Sequence, residues 1–109
     1  MLLDIKEEVY AALKRACERV YPSLPEADAE LPCVSYFESQ NVPSSNADDG
    51  EYSSLIEFTV DIWGDSFEEI TPVAQRVEEE MGALGFVRTH CTDIPPDHKN
   101  MMYQIDLGG

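Results

Sequence analysis

Positive charge is scarce in this sequence: seven Lys and Arg stand against 22 Asp and Glu, a formal net charge of −15 over 109 residues. A chain this acidic is poorly suited to neutralising phosphates, which argues against binding a nucleic-acid backbone. An anionic membrane surface is disfavoured on the same ground. No apolar run approaches the roughly 18 residues that a membrane-spanning helix needs. The start, Met1-Leu2-Leu3-Asp4-Ile5-Lys6, has no basic region ahead of an apolar block, so no secretory signal is expected. Cysteine is limited to Cys17, Cys33 and Cys91, an odd number at wide spacings. That makes no disulfide framework, and reduced thiols in a cytoplasmic setting are expected. The six glycines are isolated or terminal, so no loop can cradle a phosphate.

The apolar content, 43%, is ordinary for a globular chain, and the length fits one domain over residues 1–109. The strongest pattern lies at 52–63. Ile56, Phe58, Val60 and Ile62 share one parity, while Glu57, Thr59, Asp61 and Trp63 share the other. Side chains alternate along a strand, so this is a half-buried central strand, ended by Gly64-Asp65. Ile5, Val9, Ala12, Leu13, Ala16 and Val20 recur at helical spacing and predict a helix over 2–20, stopped before Pro22. A first strand is expected at 33–39. Residues 40–50 are nearly all turn formers and read as a long hairpin loop.

Ser66-x-x-Glu69 and Thr71-Pro72 compete as starts of a second helix, between 67 and 72. Its apolar stripe is Ile70, Val73, Ala74, Val77, Met81 and Leu84, with Gly85 as the left-handed cap. Strands at 86–94 and 98–107 follow, joined by Pro95-Pro96-Asp97. The expected fold is α+β: helix, strand, strand, helix, strand, strand. It forms a single four-stranded, mostly antiparallel sheet with two helices on one face.

No constellation points to catalysis. His90, Cys91 and His98 flank the last hairpin, but His90 and Cys91 are neighbours and so point to opposite faces of a strand. A nucleophilic Cys91 would sit in a strongly negative field, which disfavours a thiolate. The pairs Asp48-Asp49 and Glu68-Glu69 and the run Glu78-Glu79-Glu80 read as solvated acids. Asp48, Asp49 and Glu51 lack the full calcium-loop pattern. No metal and no cofactor are expected. Trp63 packs against a neighbouring loop or anchors an interface.

Several short strings form a set: Asn41-Val42-Pro43, Ala47-Asp48, Glu51-Tyr52 and Val60-Asp61-Ile62-Trp63. Farther along come Leu84-Gly85-Phe86, Arg88-Thr89, His98-Lys99 and Met101-Met102-Tyr103. In order and spacing, over about residues 30–107, they resemble the small tail-completion or tail-terminator proteins of long-tailed phages and prophages. The resemblance implies a non-enzymatic virion protein with a helix-covered sheet. Such a subunit forms a ring with copies of itself at the head-proximal end of the tail tube and joins other tail or head-connector proteins. It implies a place in the virion tail after assembly and in the host cytoplasm before it. The interface candidates on this reading are Asn41, Val42, Pro43, Asp48, Asp49, Glu51, Tyr52 and Trp63. The charge alone supports a different class, an acidic DNA mimic that blocks a DNA-binding protein. A mimic needs carboxylates spaced like phosphates on one face, and here they scatter over both helices and several loops.

Overall fold

The computed structural model describes residues 2–44 and 53–108. In chain order the elements are α1 (Lys6–Ala16), β1 (Val20–Pro22), β2 (Cys33–Ser44), β3 (Ser53–Trp63), α2 (Phe67–Ala83), β4 (Val87–Ile94) and β5 (His98–Gly108). They build one five-stranded mixed sheet of order β1-β2-β3-β5-β4, with β3 at its centre. No helix among the described residues is long and apolar enough to cross a membrane.

The four-stranded, mostly antiparallel sheet expected from the sequence is therefore wrong, and β1 is the reason. The first helix ends at Ala16, not at 20, and Cys17 is already extended (φ −150°, ψ 137°). Val20, Tyr21 and Pro22 then pair in parallel with Val34, Ser35 and Tyr36. Val20 lies four residues after Ala16, so the same apolar residue satisfies helical spacing and strand burial alike. Only the non-local partner in β2 decides between them. The Arg19 guanidinium secures the connection by donating to the carbonyls of Glu30, Leu31 and Pro32, at 3.1–3.2 Å.

A second correction concerns residues 40–44, which belong to β2 and not to a loop. They pair with Ser53–Glu57 of β3, after a bulge between Glu38 and Gln40. Turn-forming composition is a local preference, and a full ladder on β3 overrides it. The Asn41 amide also donates to the carbonyl of Leu3 (2.8 Å), tying the hairpin to the N-terminal segment. The long hairpin stretches the molecule to 50 × 21 × 20 Å.

At the start of α2 the capping signal at Ser66 prevails. Ser66 Oγ accepts from the Glu69 amide (3.3 Å), and Glu69 Oε1 reaches back to the Asp65 amide (3.2 Å). Gly85 closes the helix at φ +99°, where a side chain would be strained. The Phe86 amide returns to the Met81 carbonyl (3.1 Å). Gly64 is needed for space instead: a Cβ there would lie 2.8 Å from Ile70 Cγ1.

Both helices lie on one face of the sheet. Val9 and Leu13 of α1 and Ile70, Val77 and Met81 of α2 meet Ile56, Phe58, Val60 and Ile62 of β3 in one buried cluster. Cross-strand register adds Met101 and Tyr103 of β5 to that covered face. Arg76 Nε donates to the Ala16 carbonyl (2.9 Å), and Arg15 pairs with Glu80 (2.6 Å), joining the two helices. The far edge strand, β4, is left uncovered: all eight of its residues are exposed.

Buried groups make the core sensitive to alkali, Cys33 and Tyr103 most strongly. Burial pushes the Cys33 thiol from 9.0 up to about 11, with Cys17 adding to the shift and Arg19 opposing it. Burial, and then the hydrogen bond to Glu78, push the Tyr103 hydroxyl above its ordinary 10.0. In both cases the folded state holds its proton longer than the unfolded chain, so stability falls as pH rises. The Cys33 contribution is complete below pH 9.0 and is lost by about 11. Tyr103 acts from pH 10.0 upward. The urea midpoint should be level from about pH 7 to 8.5 and then fall. The limiting slope is about 1.4 kcal/mol per pH unit for each ionising group. Cys33→Ala should remove the earlier part of the fall, and a midpoint unchanged up to about pH 10.5 would contradict this account.

Candidate interaction face

Alternation puts the other half of each strand on the face that carries no helix. From β2 these are Ser35, Phe37 and Val42. From β3 they are Leu55, Glu57, Thr59, Asp61 and Trp63, and from β5 His98, Asn100, Met102 and Gln104. Val87 and Ile94 of β4 join them at the edge. Phe37, Val42, Val87 and Ile94 are exposed apolar residues on this open face.

The polar side chains between them are bonded to one another. Asp61 Oδ1 accepts from Asn100 Nδ2 (2.7 Å) and lies 2.8 Å from His98 Nε2, and both members of the His98–Asp61 pair are about 15% exposed. The His98 ring stacks on Trp63 with centroids 4.0 Å apart, and Trp63 Nε1 donates to Ser35 Oγ (3.0 Å). Farther along the sheet, Thr59 Oγ1 donates to Ser39 Oγ (3.0 Å), and Ser39 Oγ donates to Glu57 Oε1 (2.7 Å). Gln104 Nε2 donates to the other Glu57 oxygen (2.9 Å). Each of these contacts joins adjacent strands, so the open face is held in one arrangement without a covering layer.

Charge is distributed unevenly. Lys and Arg are absent from the open face among the described residues, because register turns Arg88 and Lys99 to the covered side. All seven cations are engaged within the chain. Lys6 pairs with Asp4, Arg15 with Glu80, Arg19 with Glu18 and Glu30, Arg88 with Glu78 and Lys99 with Asp93. Lys14 and Arg76 donate to the carbonyls of Glu18 and Ala16.

One end of the open face dips into a hollow of about 360 Å³. Its walls are Leu24, Pro25, Ala27, Ala29 and Leu31 of the β1–β2 connection, with Trp63 and Cys33 alongside and Glu26 and Asp97 among the lining residues. The Cys33 thiol, buried and held protonated, is no nucleophile. Among the described residues no group of three or more His, Cys, Asp or Glu is placed to hold a metal. Cys91 faces the covered side beside Lys99 Nζ (3.9 Å), while His90 faces the open side beside Thr92 (2.9 Å).

The sequence-derived interface residues divide into three groups. Asn41, Val42 and Pro43 stand at the distal end of β2, where Val42 pairs with Leu55. Trp63 stands eight residues farther along β3, about 27 Å away at strand rise. Asp48, Asp49, Glu51 and Tyr52 lie outside the described residues. Asn41 and Val42 also point to opposite faces, Asn41 toward Leu3 and Val42 to the open side. Among the described residues, the distal Asn41, Val42 and Pro43 and the proximal Trp63 do not form one cluster. The sequence-derived interface candidates do not include Ser35, Phe37, Asp61, His98 or Asn100, which the open face places beside Trp63 or along the same parity. The polar parity of β3 and β5 was visible, but the register that joins them was not.

No family model matches this chain, and no curated protein matches it in sequence. Its fold has counterparts among solved structures. A chain from a structure titled "Virion of native gene transfer agent (GTA) particle" aligns with a TM-score of 0.67 at 14% sequence identity. The alignment covers 95% of this chain and 91% of that one. At this identity the likeness is one of fold.

Proposed function

We propose that this chain is a non-enzymatic structural subunit of a phage or prophage virion, a tail-completion or tail-terminator protein that caps the tail tube and joins it to the head. The observation that carries the reading is the fold shared, over nearly the whole of both chains, with a component of a gene transfer agent virion. The strings around Asn41-Val42-Pro43 and Val60-Asp61-Ile62-Trp63 support the finer assignment. An uncovered sheet face with exposed Phe37, Val42, Val87 and Ile94, and an uncovered edge strand, fit a subunit that completes its surface with other chains.

The distal hairpin, with Asn41, Val42, Pro43, Asp48, Asp49, Glu51 and Tyr52, is the assembly arm on this reading. Ser44 and Ser53 are register partners, so a two-residue Asn-Gly turn replacing 45–52 should close the hairpin without disturbing β2 or β3. The shortened protein is expected to keep the parent's urea midpoint and to fail to complete tails in an infection complementation assay. Full complementation by that variant would make the arm passive.

Self-association carries a signature of its own. Identical subunits at −15 repel, and salt shortens that repulsion to about 8 Å at physiological ionic strength. Light scattering across a salt series should show rings growing with salt. Rings that dissolve as salt rises would mean that ionic contacts hold them.

A further inference from the structure

We infer that the hollow beside Trp63 is a receptor for an arginine side chain carried on an apolar, extended segment of a different protein. Such a partner need not be a tail component, so the inference goes beyond the assembly role. Glu26 and Asp97 line the hollow, both are exposed, and neither forms an ion pair among the described residues. Trp63, at the end of β3, supplies an aromatic wall to the same hollow. A planar guanidinium both stacks on an indole and donates two hydrogen bonds to a carboxylate, whereas an ammonium is a more strongly hydrated point charge. Leu24 and Leu31, 71% and 38% exposed, offer aliphatic walls for the arginine stem and for apolar neighbours.

The ring is oriented before any ligand arrives. Ser35 holds the indole N–H at 3.0 Å, and His98 stacks on one ring face at 4.0 Å, itself held by Asp61. Positioning of this kind lowers the cost of ordering on binding. A second copy of the chain is a poor source of the cation. Each of its Lys and Arg side chains already holds a partner that it would have to release, and two copies at −15 repel.

The test uses the isolated protein and two capped pentapeptides, acetyl-Gly-Leu-Arg-Leu-Gly-amide and its counterpart with neutral citrulline in place of arginine. Trp63 is the single tryptophan, so the indole N–H resonance reports on this site alone. The arginine peptide should shift it saturably, and citrulline should bind at least about tenfold more weakly. Glu26→Gln with Asp97→Asn should weaken the arginine peptide by about tenfold. Glu7→Gln with Glu8→Gln on α1 makes the same change in net charge and should leave binding within about twofold. All four carboxylates are exposed, so both variants should keep the parent's amide spectrum. The inference is overturned by an indole resonance that the arginine peptide does not shift saturably. Equal affinity for citrulline also overturns it. So does a loss in the α1 control as large as in the hollow variant, which would make the attraction a property of net charge alone.

Discussion

Replacing Phe58 with Ala is expected to cost about 3–5 kcal/mol, a large part of the stability of a typical domain. Phe58 is fully buried at the middle of the central strand. Its ring meets Phe86 edge-on at 5.9 Å and Tyr36 at 6.3 Å, so truncation empties a space bounded by Tyr36 of β2 and by Phe86, just ahead of β4. The surrounding residues of both helices and the sheet are packed in one buried cluster, so collapse would be partial and the cavity penalty would remain. Urea unfolding reads the change as a lower midpoint at unchanged slope. A variant as stable as the parent would mean that the covered face has been assigned to the wrong parity.

Tyr103→Ala should cost a similar amount, about 3–5 kcal/mol, by the same mechanism. Tyr103 is 1% exposed and stands directly opposite Phe58 across the β3–β5 ladder. Its hydroxyl donates to Glu78 Oε2 at 2.8 Å, the oxygen that also takes Arg88 Nε at 3.0 Å. One carboxylate of α2 therefore ties down both β5 and β4. Tyr103→Phe removes that bond and the long contact with Met101 Sδ (3.9 Å) and leaves Glu78 paired with Arg88, so about 1 kcal/mol is expected. The pair of variants separates ring packing from the hydroxyl. Because Phe58 and Tyr103 are cross-strand neighbours in one buried cluster, the double alanine variant should lose less than the sum of the two. Strict additivity would mean that the two rings do not pack on each other.

Within the open face, what local sequence could show and what it could not both have physical reasons. Trp63 was identifiable as a candidate because it is the sole tryptophan at the end of a patterned strand. That it stacks on His98 was not, since the two are 35 positions apart and meet only through the antiparallel register of β3 and β5. In the sequence, His98 is only one of three scattered residues of metal-ligand type around the last hairpin, and they lack ligand spacing. Its neighbours in space, Asp61 and Trp63, make it part of a sheet-surface network instead. Residues 40–44 misled in another way: Ser, Asn and Pro favour turns locally, and a complete set of partners on β3 outweighs them.

Periodicity and turn signals by themselves determined the two amphipathic helices, the central strand with its buried parity and the final hairpin. These depend on neighbours within a few residues, where side-chain direction follows from backbone geometry alone. The fifth strand, the length of the β2–β3 hairpin, the linked polar network on the open face and the hollow beside Trp63 were decided by tertiary structure. Each of them needs two segments separated by an intervening stretch of chain to meet in one register. Local spacing carries no record of which partner a strand will take.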